Sequence, residues 1–385
     1  MAVSSIPRTV PRSPASTLRR NPTAAWRHLD VVLIGAVAAV ASLGALMVYS
    51  ATRGPVSPYN LSFLEKQVMY VGIGFAILVL VVAIDYRHFR DWSLFLYLSA
   101  CALLLFVVSP LGSKSNGAQS WFQLGSFQLQ PSEFAKLGLI LAIAAVGAQF
   151  FGEINGRRLF VMLCVAGLPL TLIMLQPDLG TALVLVVITA GALLIAGAKG
   201  KHLLVLVLVA VLGATFVLNS NVLEQYQKDR LTSFTHQDEG LKGETYNLNQ
   251  SKTAIGAGGT LGEGLFEGSQ TRLGNVPEQH TDFIFTAVGE QLGFVGSATL
   301  LALFCIIAWR IWRTAQLARD EFGMLVCVGV LALFMFQIFE NVGMTMGIMP
   351  VTGLPLPLVS YGGSSTIAEF IALGLVLNVH MRRFA

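Results

Sequence analysis

The sequence predicts an all-α polytopic membrane protein of about ten transmembrane helices, and three observations carry that prediction. Hydrophobic residues make up 54% and charged residues 12% of the 385 positions, and the mean hydropathy is +0.68, a balance foreign to soluble domains. Apolar runs recur at about 31–49, 67–84, 93–109, 133–150, 158–175, 179–197, 202–219, 283–308, 322–346 and 364–380, each near the ~17–25 residues that span hydrocarbon. Between the seventh and eighth runs stands one polar segment, at roughly 220–281, and a loop of that length is usually functional.

The basic residues set an orientation. A cytoplasmic N-terminus puts Arg8, Arg12, Arg19, Arg20, Arg27, Arg87, Arg90, Arg157, Arg158, Lys199, Lys201, Arg310, Arg313, Arg319, Arg382 and Arg383 on the inner side. An even number of spans then returns the C-terminus to the cytoplasm and leaves the long loop outside. Residues 1–29, rich in Arg, Ser and Pro, read as a basic disordered cytoplasmic tail in preference to an organellar transit peptide. Residues 30–385 read as one membrane domain. The net charge of +4 follows from the inner bias and gives no case for nucleic acid. Cys101, Cys164, Cys305 and Cys327 fall inside apolar runs and read as small buried hydrophobes, not as disulfides or metal ligands.

Polar residues collect in four clusters, which this topology puts at or near the outer face. Trp121 to Lys136 opens the fourth run. Pro131 suits a first helical turn, with Gln130 or Ser132 as its cap, and Glu133 and Lys136 are i,i+3 neighbours that can neutralise each other. That pair either fixes its helix or belongs to the wall of a polar cavity. Gln176-Pro177-Asp178-Leu179-Gly180-Thr181 separates the fifth and sixth runs, and Asp178 reads first as a helix cap.

The long loop is the third cluster. Lys228 and Arg230 could meet a pyrophosphate, Arg as a fork and Lys as a point charge, or could be a solvated stretch. Tyr246 to Ile255, carrying Lys252, reads as a short interfacial helix ended by Gly256, Gly258 and Gly259. The glycine spacing gives no dinucleotide or P-loop motif, and no His or Cys pair has zinc spacing. The loop closes on Glu278-Gln279-His280-Thr281-Asp282, a carboxylate at the edge of an apolar run. Alone, Asp282 is equally an N-cap or a functional group. The fourth cluster joins Glu340-Asn341 to the stretch Met349 to Ser364, whose prolines and glycines preclude one continuous helix. Broken backbone at membrane depth lines a cavity or lies buried in protein.

In this order the clusters resemble the SEDS family (shape, elongation, division and sporulation) from about Asp30 onward. The resemblance rests on Gln130-Pro131-Ser132-Glu133-Phe134-Ala135-Lys136, Gln176 to Thr181, His280-Thr281-Asp282-Phe283-Ile284-Phe285, and Pro355-Leu356-Pro357 through Ser360-Tyr361-Gly362-Gly363-Ser364. The stretches Tyr226 to Arg230, Tyr246 to Lys252 and Gln270 to Glu278 resemble the RodA branch of cell elongation, with the division branch, FtsW, next. Ser120 departs from the arginine many members carry before Trp121, which removes one cation.

The resemblance implies a peptidoglycan glycosyltransferase that polymerises lipid II at the outer face of the bacterial cytoplasmic membrane, among membrane lipids and with a class B penicillin-binding transpeptidase. It makes Asp282 the catalytic residue and sets Glu133 and Lys136 in a central cavity. Trp121, Lys228, Arg230, Lys252, Arg272, Glu340 and Ser360 complete the candidate substrate-binding set. Transfer from an α-linked donor to a β-linked product needs one general base and positive charge on the departing diphosphate, the latter supplied by Lys228, Arg230 or Arg272, with a divalent cation, Mg or Mn, as a further candidate. Rival readings are a lipid II flippase and a non-catalytic scaffold for the transpeptidase.

Overall fold

The computed structural model describes residues 26–54, 59–110, 112–115, 118–125, 127–206, 208 and 244–384. Helices α1 (Val31–Thr52), α2 (Ser62–Ala83) and α3 (Tyr86–Val108) lead to strands β1 (Ser113–Ser115), β2 (Ala118–Leu124) and β3 (Phe127–Leu129). Then come α4 (Pro131–Gln149), α5 (Gly156–Met174), α6 (Leu179–Ile195), the short α7 (Glu244–Ala257) and α8 (Ser269–Leu273), and finally α9 (Ile284–Leu317), α10 (Glu321–Thr345) and α11 (Gly363–Met381).

Eight described helices are long and apolar enough to cross a bilayer: α1 to α5 and α9 to α11; α6, at 17 residues, is a shorter apolar helix. These match nine of the ten expected runs. The expected seventh span, at roughly 202–219 by length, lies mostly outside the described residues. The chain is mostly helical, as expected, and ahead of α4 it adds one small antiparallel sheet with β1, β2 and β3 in that order. Alternating polar residues around Trp121 form this strand pattern just ahead of α4.

Burial sorts the helices into centre and rim. The most apolar stretches of α4, α10 and α11 are 83%, 67% and 89% buried, against 22–44% for α1, α2, α3, α5 and α9. A rim helix can expose Leu and Phe because lipid is as apolar as the core, which also corrects the cysteine expectation. Cys101 and Cys327 are buried, whereas Cys164 and Cys305 face outward, since an apolar run in a membrane protein does not tell inside from lipid.

The end of the bundle away from the four clusters is tied by ions. Asp30 caps α1 at Leu33 N and takes Nε and Nη2 of Arg310 at 2.7 and 2.6 Å. Tyr86 donates to Asp320 at 2.7 Å, and Arg382 faces Asp85. The other end gathers the starts of α2, α4, α6, α9 and α11.

Candidate active site: a clamped aspartate at one end of the bundle

Residues 280–282 immediately precede α9, and each of their three carbonyls is held by a different donor. Tyr361 N donates to His280 O at 2.9 Å, Ser360 Oγ to Thr281 O at 2.6 Å, and Asn341 Nδ2 to Asp282 O at 2.7 Å. Side chains and backbone from α10 and from the α10–α11 connection thus fix the peptide planes that carry Asp282. The N-cap position of α9 falls on Phe283, which makes no side-chain cap bond, one residue beyond Asp282. Asp282 is half-buried and stands by the positive end of α9, which favours a carboxylate.

The clamp depends on a turn. Leu356 N donates to Ser360 Oγ at 2.8 Å, and the amides of Val359 and Ser360 both go back to Leu356 O. Leu358 sits in the left-handed region at φ 64°, a conformation that costs a non-glycine residue of order 1 kcal/mol. Its N–H is taken by Glu369 Oε2 at 2.7 Å. The turn rests on α1 at Gly44, where a Cβ would stand 2.5 Å from Leu358 O.

On the other side the loop is spliced into α9. The helix is broken at Gly293, with φ 64° and ψ −161°. Phe294 N and Val295 N, which a regular helix would send to the carbonyls of Glu290 and Gln291, donate instead to Gly259 O and Thr260 O. The two released carbonyls accept from Glu263 N and Gly264 N. The side chains join in. Glu290, fully buried, accepts from Gln270 N, Thr271 N and Thr271 Oγ1 at the start of α8. Gln291 Oε1 accepts from Ser50 Oγ and Phe266 N. Gln279 donates to Thr271 and Thr286, which links α8 to the residue before His280.

His280 packs edge-on against Phe63 at 5.0 Å and lies 5.7 Å from the Tyr361 ring, which itself meets Phe63 at 5.1 Å. Burial holds the pKa of its imidazole below the usual value, against a smaller upward pull from Glu278.

The remaining sequence candidates fall in different places. Ser360 is in the clamp, and Glu340, fully buried, adjoins Asn341. Glu133 and Lys136 pair at 2.8 Å with side chains 4% and 1% exposed, enclosed in protein. Trp121 is half-buried on β2, Lys252 half-buried on α7, and Arg272 exposed on α8. Lys228 and Arg230 lie outside the described residues. Asp178 caps α6, accepting from Thr181 N and Oγ1. Gln130 holds the N-cap position of α4 but makes no side-chain cap bond; its N–H donates to Ser364 Oγ at 3.0 Å. The helix at Tyr246 to Ile255 is present and ends at Ala257, and the next residue, Gly258, packs so close to α9 that a Cβ on it would strike Gly289 O.

Glu290, Gln291 and Glu369 were not singled out by sequence. A signal existed: Glu290 and Glu369 are carboxylates inside apolar runs, where ionisable groups are costly and usually purposeful. Among the described residues no group of three or more His, Cys, Asp and Glu is arranged to hold a metal ion.

Fold and site together define a multi-span membrane protein with an acidic motif held rigidly at one end of its bundle. The chain belongs to the FtsW/RodA/SpoVE family of cell cycle proteins, whose model matches residues 30–384, and is a multi-pass protein of the cytoplasmic membrane. It is 33% identical over 359 residues to the peptidoglycan glycosyltransferase MrdB of Escherichia coli K12, covering 92% of this chain and 94% of that one. The rod shape determining protein RodA of Thermus thermophilus aligns at TM-score 0.69 and 30% identity, over 93% of this chain and 98% of that one. A chain from a peptidoglycan synthase complex, described as coordinating polymerization and crosslinking, aligns at TM-score 0.79 and 32% identity, over 92% and 98%.

Proposed function

We propose that the chain is a peptidoglycan glycosyltransferase of the elongation branch, polymerising lipid II at the outer face of the membrane with Asp282 as general base. The observation that carries this reading is the triple hold on the carbonyls of His280, Thr281 and Asp282. A base must be kept within hydrogen-bond reach of one particular proton, and a rigid backbone beneath it supplies that pre-organisation. Kinship with MrdB supports the activity, and the rod-shape relative supports the branch.

In the proposed step Asp282 takes the proton of the acceptor's 4-hydroxyl as that oxygen bonds to the donor's anomeric carbon. The bond from that carbon to the diphosphate breaks, its electron pair leaves with the undecaprenyl diphosphate, and the configuration inverts. Arg272, Lys252, Lys228 and Arg230 are assigned to the negative charge of donor and leaving group. Trp121, Glu340, Glu133 and Lys136 are assigned to the walls and supports of the substrate cavity. A divalent cation would ride chiefly on the substrate's phosphate oxygens, since the described donors form no cage for one. A class B transpeptidase is the proposed partner, in keeping with the synthase-complex relative. Positive-inside bias supports cytoplasmic termini and an outer 244–282 segment.

The test is polymerisation of purified lipid II by the full chain, alone and with its transpeptidase, beside Asp282→Asn. Glycan strands from the wild type and none from a folded Asp282→Asn variant are expected. Undiminished polymer from the variant would overturn the assignment of Asp282. Silence from folded wild type under both conditions would favour the flippase reading.

A further inference from the structure

We propose that Glu369 is a positioning residue for Asp282, acting through the Leu356–Tyr361 turn, with the Lys136–Glu133 pair beside it; this rests on reading Asp282 as the base. Every backbone N–H in that turn is accounted for. Leu356 donates to Ser360 Oγ, Val359 and Ser360 to Leu356 O, Tyr361 to His280 O, and Pro357 has none to give. Only Leu358 needs an acceptor from outside the clamp itself, and Glu369 Oε2 provides it at 2.7 Å. A buried backbone donor without a partner is strongly disfavoured.

Leu358 is also the residue held at φ 64°, so the bond to Glu369 offsets a local strain. Without it the simplest relief is rotation of the Leu358 peptide out of the left-handed region. Ser360 and Tyr361, two and three residues on, would then shift off Thr281 O and His280 O. A chain of contacts therefore runs from α11 through the turn to the peptide carrying Asp282.

Glu369 is 3% exposed and lies within electrostatic reach of Lys136 and Glu133 on α4. Lys136 is bonded to Glu133 at 2.8 Å, so the pair's opposite charges largely offset each other beside Glu369. The buried position of all three side chains fits a brace inside the protein better than a contact with substrate.

The test compares Glu369→Met, which keeps volume but removes the acceptor, with Glu369→Gln, which keeps an acceptor oxygen but removes the ionisable group. Both make α11 no more polar, so insertion is not compromised. Full-length proteins are assayed on lipid II with the transpeptidase, and hydrogen–deuterium exchange is followed over residues 280–282 and 356–361. Glu369→Met should lower kcat about 10–100-fold with KM within about twofold, and speed exchange at Leu358 and Tyr361. Glu369→Gln should recover most of both. Wild-type kcat and exchange in Glu369→Met, or a Glu369→Gln protein as impaired as it, would overturn the proposal. If wild type makes no glycan, the functional reading fails on its own, and exchange alone decides: selective loss of protection in Glu369→Met upholds the brace, and equal exchange in all three proteins overturns it.

Discussion

Asn341 gives its side-chain amide hydrogens to two backbone carbonyls, that of Asp282 at 2.7 Å and that of Leu354 at 2.8 Å. One fully buried residue of α10 thus joins the acidic motif to the connection that leads into α11. Asn341→Leu should leave both carbonyls without a donor, at a cost of about 1–3 kcal/mol each. Turnover on lipid II is expected to fall about 10–100-fold. Asn341→Asp should do at least as much harm, since it sets carboxylate oxygens against carbonyls. Thermal unfolding in detergent, alongside polymerisation, checks both; a fully active Asn341→Leu would show that Asp282 needs no hold from α10.

The break in α9 demands glycine. Gly293 has φ 64°, and a Cβ there would lie 2.3 Å from Gly262 N. Gly293→Ala should therefore destabilise by about 2–4 kcal/mol. It should also make the 258–266 segment more open to limited proteolysis. An unchanged melting temperature would refute the steric argument.

Glu290 anchors α8. Glu290→Gln keeps the shape but turns an NH2 group toward the amides of Gln270 and Thr271, which the carboxylate now accepts. If Arg272 on α8 meets the substrate's diphosphate, KM for lipid II should rise about tenfold, with kcat less affected. A matched fall in kcat with KM constant would instead place the loss at the chemical step.

Acid should weaken the protein through His280. Its folded pKa is lowered by burial, so folding favours the neutral ring. That contribution is complete above the unfolded value of about 6.5 and is lost as pH falls below it, because the unfolded chain then binds the proton more readily. The melting temperature should decline between about pH 7 and 5, and His280→Asn should flatten that slope. Parallel slopes in the two proteins would rule the histidine out.

Much of this was legible from sequence, for definite reasons. Spans declare themselves because hydrocarbon demands long apolar runs, and the prolines at 350, 355 and 357 announce the broken backbone between α10 and α11. The helix end at Ala257 followed from its glycines. The functional detail was harder. Gly293 sits in an apolar run like any other glycine, and only the loop's approach reveals why the helix breaks there. Ser360 was visible as a motif residue, but its partner is a carbonyl 79 positions away, and no periodicity encodes such a bond. Lys136 and Glu133 advertise a pair by spacing, while Glu369, their third member, lies on another helix.

The exchange of hydrogen bonds at Gly293 also limits how the outer segment can move. Lifting residues 259–264 away would strand Phe294 N, Val295 N and the carbonyls of Glu290 and Gln291, unless the helix closed up in the same event. Half-measures leave unpaired backbone at the membrane edge, at several kcal/mol per group. Loop and helix must therefore trade places all at once or not at all, so the segment behind the acidic motif behaves as a latch with two positions, not as a hinge with many.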